Sequence, residues 1–334
     1  MKTKQLKDIL KTLNTVIKSN KTEPITQLVF LYNEGSELRF GATNLSTSII
    51  AKLEDAEVKL TPVTISLEDL FAVVRSIKDD ECTLRQIENG IQLVANQGVY
   101  TFPIVLENNR PLQLPLKFPD VIIDTYTPIK KPKVIKARNG IALGEGILSN
   151  YFCTKNSIIT TNEEILAITY IDTYTEAAIL PEDVFRQLSC LGDEVNFKPY
   201  DAGFIFHDST YLINTSKRYV KYPYETIVPF VGLKGTVSMP KDDLQRAFQQ
   251  LHDLKKPIAY IGCDGKTLLI SDDSNALVVG IPIGGKLTSD KIQVKTDTVL
   301  KALKTMEDSI MIDVCEKYMV LSDDVGCFVI SRSE

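Results

Sequence analysis

Histidine is scarce in this sequence. Only His207 and His252 occur in 334 residues. Neither stands at a recognisable spacing from a nucleophile, so both read as structural or solvated side chains rather than members of a catalytic triad. Six cysteines (Cys82, Cys153, Cys190, Cys263, Cys315 and Cys327) are scattered with no close pair. That excludes zinc-ligand spacing and a Cys-x-x-Cys redox motif, and they read as small buried hydrophobes in a reducing compartment. No apolar run approaches the roughly 20 residues that a membrane span needs. The opening stretch MKTKQLKDILKTLNTVIKSNK has neither a continuous apolar run nor a small-residue cleavage site. No signal peptide is therefore expected, and the expected location is cytoplasmic. An excess of positive charge is also missing: Lys and Arg number 38 against 43 Asp and Glu, a formal net charge of −5. That argues against a simple basic nucleic-acid binder, but not against positive charge confined to one surface.

A phosphate-binding loop is absent too. GCDGKT (262–267) ends like one, but Tyr260 stands where that loop requires glycine. Flanked by the β-like runs IAYIG and TLLIS, it reads as a hairpin turn at Asp264-Gly265. The acidic pairs Asp79-Asp80, Asp272-Asp273 and Asp323-Asp324 fall in turns and do not follow the calcium-loop pattern. No cofactor, no metal and no enzymatic activity are expected.

What is present is repetition. The length suits two or three domains, and 44% hydrophobic with 24% charged residues is ordinary for a globular chain. Three segments carry one apolar stripe each at helical spacing: 67–77 (Leu67, Leu70, Phe71, Val74, Ile77), 181–191 (Val184, Phe185, Leu188, Leu191) and 296–306 (Val299, Leu300, Leu303, Met306). Each is preceded by a strand pair, at 37–53, 157–171 and 266–283. These pairs break at Ala42-Thr43-Asn44, Thr160-Thr161-Asn162 and Ser271-Asp272-Asp273. Each is followed by an acidic turn and more strands. A second helix opens the first copy (Leu6, Ile9, Leu10, Leu13, Ile17) and the third (Leu244, Ala247, Phe248, Leu251, Leu254). In the middle copy the equivalent region, 136–152, holds Gly144 and Gly146, which cost helix stability, so a short or irregular helix is expected there. Prolines crowd residues 111–132 and favour extended chain. The second join runs from Tyr222-Pro223-Tyr224 past Pro229 to Gly235. The expected fold class is α+β: three similar domains over 1–120, 121–230 and 231–334, each an antiparallel sheet with two helices on one face.

The element order, the Ala42-Thr43-Asn44-Leu45 turn, the Phe118-Pro119 and Tyr222-Pro223 ends and the closing run Cys327-Phe328-Val329-Ile330 resemble bacterial sliding clamps of the DNA polymerase III beta type. The resemblance covers nearly the whole chain. It implies a head-to-tail homodimer forming a ring, with helices lining a hole through which double-stranded DNA threads without sequence-specific contact. It implies a role as processivity factor, with DNA polymerase and clamp loader held through short peptide motifs. DNA-facing cations would be Lys7, Lys11, Lys18, Arg75, Lys78, Arg138, Arg186, Lys241, Arg246, Lys255, Lys256, Lys301 and Lys304. Tyr151 matches a DNA-proximal tyrosine loop. A peptide groove would use Thr161, Leu166, Pro223, Ile227, Val228, Val329 and Ser331. The subunit contact would join Val99, Tyr100, Thr101, Phe102 and Pro103, through Val105, to the helix end near Leu254. Pro103 lacks an N–H donor and belongs on an edge or at a bulge.

This chain departs from the family at Glu163 and Glu164, where glycine and histidine are usual, and at Ser331, where a larger apolar residue is usual. The resemblance thus implies a groove whose peptide preference differs. The departures and the abbreviated middle copy fit a phage-encoded or divergent clamp. Two alternatives stay open on the residues alone. One is a clamp that closes only weakly, told apart by its mass in solution. The other is a structural or assembly protein of three α+β repeats without DNA encirclement, in which no partner peptide binds and reversal of the helix-face lysines is harmless.

Overall fold

The computed structural model describes residues 1–17, 22–54, 58–118, 127–171, 178–189, 191–216, 222–287 and 291–333. Its elements repeat six times as one pattern: a short strand, a helix, then a three-stranded meander. The first has α1 (Thr3–Ile17), β1 (Leu28–Glu34), β2 (Glu37–Thr43) and β3 (Thr47–Leu53). The second has β4 (Val63–Ser66), α2 (Leu67–Ser76), β5 (Thr83–Ile87), β6 (Gly90–Ala95) and β7 (Gly98–Pro103), and a two-stranded ribbon follows, β8 (Leu106–Glu107) with β9 (Arg110–Pro111). The third has β10 (Thr127–Lys130), α3 (Pro132–Gly140), β11 (Asn150–Cys153), β12 (Ser157–Thr161) and β13 (Ile165–Tyr170). The fourth has β14 (Ala178–Pro181), α4 (Glu182–Leu188), β15 (Glu194–Tyr200), β16 (Gly203–His207) and β17 (Tyr211–Ser216), and a one-turn helix α5 (Tyr224–Ile227) follows. The fifth has β18 (Val237–Pro240), α6 (Lys241–Asp253), β19 (Ile258–Asp264), β20 (Thr267–Ser271) and β21 (Val278–Pro282). The sixth has β22 (Lys291–Lys295), α7 (Thr296–Leu303), β23 (Ser309–Val314), β24 (Tyr318–Ser322) and β25 (Gly326–Ser331). The first unit's leading strand is reduced to one bridge, Lys2 with Glu81. The Thr3 N–H still donates to Asp80 O at 2.8 Å, as Lys241 N–H donates to Asp308 O at 2.9 Å in the fifth.

Contacts divide the chain into two compact units, residues 1–129 with 183–217 and residues 130–182 with 218–334. The division follows the sheets. In the first unit the order is β10-β15-β16-β17-β3-β2-β1-β4, beside a three-stranded sheet β5-β6-β7. In the second it is β14-β11-β12-β13-β25-β24-β23-β18, beside β21-β20-β19-β22. Each eight-stranded sheet is two meanders joined through their third strands. β17 meets β3 with Thr215 opposite Thr47, and β13 meets β25 with Thr169 opposite Gly326. Gly326 is required at that seam, because a Cβ there would lie 2.0 Å from the Ile168 carbonyl oxygen.

The helices form where the stripes predict. Leu6, Ile9, Leu10, Leu13 and Ile17 of α1 are buried, as are Leu67, Leu70 and Val74 of α2. Each such side chain contributes about 1.5–3 kcal/mol of burial. Ser66 caps α2, its hydroxyl accepting from the Asp69 N–H at 3.1 Å. Leu244, Ala247, Phe248 and Leu251 of α6 are buried. Leu254 is a correction to that stripe: it stands just past the helix and is 58% exposed.

The middle copy's helix is short, as expected, but it starts earlier. Pro132, read from sequence as part of an extended linker, is the first residue of α3. Its missing N–H would have no helical acceptor at that position. What holds so short a helix is Asn139 in its own last turn, whose side chain is fully buried. Its amide donates to Ile158 O at 2.9 Å and Ala167 O at 3.2 Å, and its carbonyl accepts from the Thr169 hydroxyl at 2.6 Å. One side chain thus ties α3 to both β12 and β13.

Candidate functional site

The second unit's large sheet is covered on both faces, so β12, β13 and β25 are buried along nearly their whole length rather than at alternate residues. One face packs on α6 and α7 through residues such as Ile165, Phe328 and Ile330. The other carries Phe152, Ile159, Leu166, Ile168, Val320 and Val329. Over that face folds the connector from Tyr222 to Leu233. Tyr222 stacks on Phe152 (centroids 5.1 Å apart, planes within 5°), and Phe230 meets Tyr318 edge-on at 5.4 Å. Burial of its ring pushes the Tyr222 phenol up to about 12.

The connector does not cover the whole face. Between it and the strands lies a groove of about 450 Å³, a size that suits large apolar side chains of a ligand. Six of the seven residues assigned to a groove from sequence line it: Thr161, Leu166, Pro223, Ile227, Val329 and Ser331. Val228 does not. It is 44% exposed, because the chain turns at α5 and carries its side chain away. Leu148, Phe230 and Tyr318 also line the groove and were missed. Tyr318 enters only because β24 pairs with β25, setting Tyr318 opposite Ser331, and chain order alone does not reveal that.

The groove's rim at the β12–β13 turn is fixed by side-chain hydrogen bonds. Asn162 Oδ1 accepts from Glu164 N–H (3.2 Å) and Ile165 N–H (3.0 Å), and Glu163 takes a left-handed backbone with φ +75°. The first unit repeats this at its own seam: Asn44 Oδ1 accepts from Thr47 N–H at 2.7 Å, and Leu45 has φ +72°. Glu164 O accepts from Ser331 N–H (2.9 Å) and hydroxyl (3.0 Å), and the Glu164 carboxylate pairs with Lys295.

The cations assigned to helix faces divide into two groups. Lys11, Arg75, Lys78, Arg246, Lys255, Lys301 and Lys304 are exposed. Arg75 lies over the Phe71 ring at 5.6 Å, and Arg246 bonds Asp243 at 2.5 Å. The others are engaged or half-buried. Lys7 donates to Ile77 O at 2.5 Å, where α2 ends, and Lys241 donates to Met306 O at 3.0 Å, past the end of α7. Both ammonium groups therefore sit on helix-end carbonyls, where positive charge is favoured. Lys256 pairs with buried Asp272 at 2.8 Å. Arg186 is half-buried on α4. Lys18 lies outside the described residues. Arg138 is a correction. It is 1% exposed and held at 2.7 Å by Asp323, so it cannot reach a phosphate. Tyr151 is another, since it lies in β11 rather than in a loop, and burial pushes its phenol upward.

Two strand edges complete the picture. β7 ends the small sheet of the first unit, with Val99 52% exposed, Tyr100 half-buried, Thr101 and Pro103 exposed, and Phe102 buried. Pro103 therefore does sit on an edge strand. β21 ends the small sheet of the second unit, with Val278 52% exposed. Sequence reading missed β21 as an edge, because its partners become evident only from the sheet order.

Among the described residues no group of three or more His, Cys, Asp or Glu side chains is placed to hold a metal ion. The Cys153 thiol is pushed up to about 12 by burial, far from nucleophilic at neutral pH. Gly265, with φ +60°, turns the β19–β20 hairpin at the site of the false phosphate loop. No described helix is long and apolar enough to cross a membrane.

No family model and no curated protein matches the sequence. Solved structures do match. The DNA polymerase III beta chain of Streptococcus pneumoniae TIGR4 is similar over 100% of this chain and 98% of its own, with TM-score 0.80 and 14% identity. The DNA polymerase sliding clamp of Pseudomonas aeruginosa covers 100% and 98%, with TM-score 0.77 and 16% identity. The Helicobacter pylori beta clamp, solved with a DNA ligase peptide, covers 100% and 99%, with TM-score 0.79 and 14% identity. These matches run over the whole chain, and the fold of this chain is the sliding-clamp fold.

Proposed function

We propose that this chain is a sliding clamp: a non-enzymatic subunit that closes with a second copy into a ring around duplex DNA and tethers a polymerase during replication in the cytoplasm. The observation that carries the reading is the end-to-end match of the chain to nearly the full length of several clamps. Pairs of successive repeats make up three domains, with boundaries near residues 120 and 230.

Ring closure has a strand-level rationale. Third strands of meanders join in pairs, β3 with β17 and β13 with β25, and among the described strands that close a meander β7 and β21 remain. A second copy placed head to tail supplies a β21 edge to β7 and a β7 edge to β21, with Val99, Val278 and Leu254 covered at the contact. Exposed edges are otherwise a liability. DNA would be held by the exposed cations on the helices, Lys11, Arg75, Arg246 and Lys301, and by those just past helix ends, Lys78, Lys255 and Lys304. Phosphate contacts carry no sequence information and so permit sliding. The groove on the second unit is the docking site for short peptide motifs of the polymerase and the clamp loader, anchored by apolar side chains.

The test joins mass to topology. Light scattering over a concentration series should give a two-chain mass. The loaded protein should stay on a nicked circle and run off the same DNA once linearised. A one-chain mass at every concentration, with retention indifferent to DNA ends, refutes the proposal.

A further inference from the structure

The groove's charges are not spread evenly, and they differ in how far they are already neutralised. Glu163 and Glu164 both line it at the β12–β13 turn. Glu164 is engaged by Lys295 through its carboxylate and by Ser331 through its carbonyl. Glu163 is exposed and has no ion-pair partner among the described residues. The turn that carries it is fixed by Asn162. The lining holds one cation, Lys317, on the far side of β25: Ser331 of β25 lies opposite Tyr318, and the Lys317 carbonyl accepts from the Arg332 N–H at 2.8 Å. Two strand spacings separate the two sides, roughly 10 Å. The groove therefore has an acidic end at the β12–β13 turn and a basic end at the β23–β24 turn, with Leu166, Val329 and Ile227 between them.

We propose that the groove selects short apolar peptides carrying a lysine or arginine at the end that meets Glu163. The inference rests on the docking role proposed above and adds its specificity. Apolar anchors supply most of the affinity, while rim charges supply discrimination and orientation. Lys317 repels the same basic residue, so one direction of the peptide is favoured over the other. At an exposed rim the effect is modest, about two- to fivefold in affinity, and it is screened by salt.

Three synthetic peptides with one shared leucine-and-phenylalanine core and a flanking Lys, Gln or Glu test this by fluorescence anisotropy. The Lys peptide should bind about two- to fivefold tighter than the Gln peptide, and the Glu peptide weaker still. Glu163→Gln should remove the difference between the Lys and Gln peptides and leave the Gln peptide unchanged. Glu163→Asn, a side chain that tolerates the left-handed backbone, should do the same. About 1 M salt should collapse the ranking in the wild type. Equal binding of all three peptides at low salt, or a preference for the Glu peptide, overturns the charge selection and leaves docking standing. If no peptide binds to protein that melts cooperatively, docking and selection fall together.

Discussion

Arg138 and Asp323 meet at 2.7 Å inside the second unit, both side chains at 1% exposure or less. Asp323 Oδ1 also accepts from the N–H groups of Val325 and Gly326, each at 3.0 Å, and Oδ2 from Glu307 N–H at 3.1 Å. The guanidinium lies 4.9 Å from the centre of the Phe328 ring. This pair fastens α3 to the β24–β25 turn, beside the seam where β25 joins β13.

Breaking that pair strands a buried charge. Arg138→Met is expected to cost about 3–5 kcal/mol, as is Asp323→Asn on the other partner. Urea unfolding read by circular dichroism checks it. If Arg138 were instead a phosphate contact, its removal would weaken DNA retention at unchanged stability.

The exposed helix cations should behave the opposite way. Lys11→Glu, within α1, should leave the unfolding free energy measured in urea within about 0.5 kcal/mol of wild type, whereas Lys301→Glu with Lys304→Glu puts negative charge at the C-terminal end of α7 and should cost about 0.3–1 kcal/mol for each reversal. DNA retention should fall, and the slope of log affinity against log salt should flatten by roughly 0.9 for each phosphate that is no longer neutralised. Lys7→Glu should differ from Lys11→Glu, because Lys7 also bonds the Ile77 carbonyl and its removal should lower stability.

These contrasts show which parts of the molecule the sequence discloses. Stripes such as Leu6, Ile9, Leu10 and Leu13 are local, so α1, α2, α6 and α7 were legible from helical spacing. The small-polar turns were legible as well, since Asn44 and Asn162 act on backbone within three residues. What joins distant segments was not. Arg138 sits among lysines on a helix and looks solvated; only the fold brings Asp323, 185 residues away, to it. Lys256 looked like a free cation until β20 brought Asp272 beside it. The groove residues on β13, β25 and the connector were recovered through family likeness. Tyr318 was not, because its place depends on the strand neighbouring β25.

The proposed ring closure through β7 and β21 would make these edges sensitive to small changes. Val278→Lys should raise the dimer dissociation constant, since a charge on an edge strand opposes pairing. Pro103→Val restores an N–H to β7 and should tighten the dimer. Sedimentation equilibrium at several loading concentrations measures both. A Pro103→Val protein with unchanged dissociation would place the contact elsewhere on the chain.

Lys256 and its neighbour Lys255 offer the sharpest comparison. Asp272 is almost wholly buried, with Lys256 Nζ at 2.8 Å and the Ser274 hydroxyl at 2.6 Å. The Lys256 hydrogen bond, then that of Ser274, holds the carboxyl well below the usual aspartate range. The folded state therefore gives up this proton more readily than the unfolded chain. The resulting stability is fully present above the ordinary aspartate value of about 3.9 and is lost as pH falls through the depressed one. Lys256→Met should lower stability at pH 7 and flatten its decline below pH 4 or so, as read by urea midpoints across that range. DNA retention should change little, because the ammonium is already paired. Lys255→Met should do the reverse, sparing stability and weakening retention. Should both variants weaken retention equally, the Asp272 contact does not keep Lys256 from the DNA.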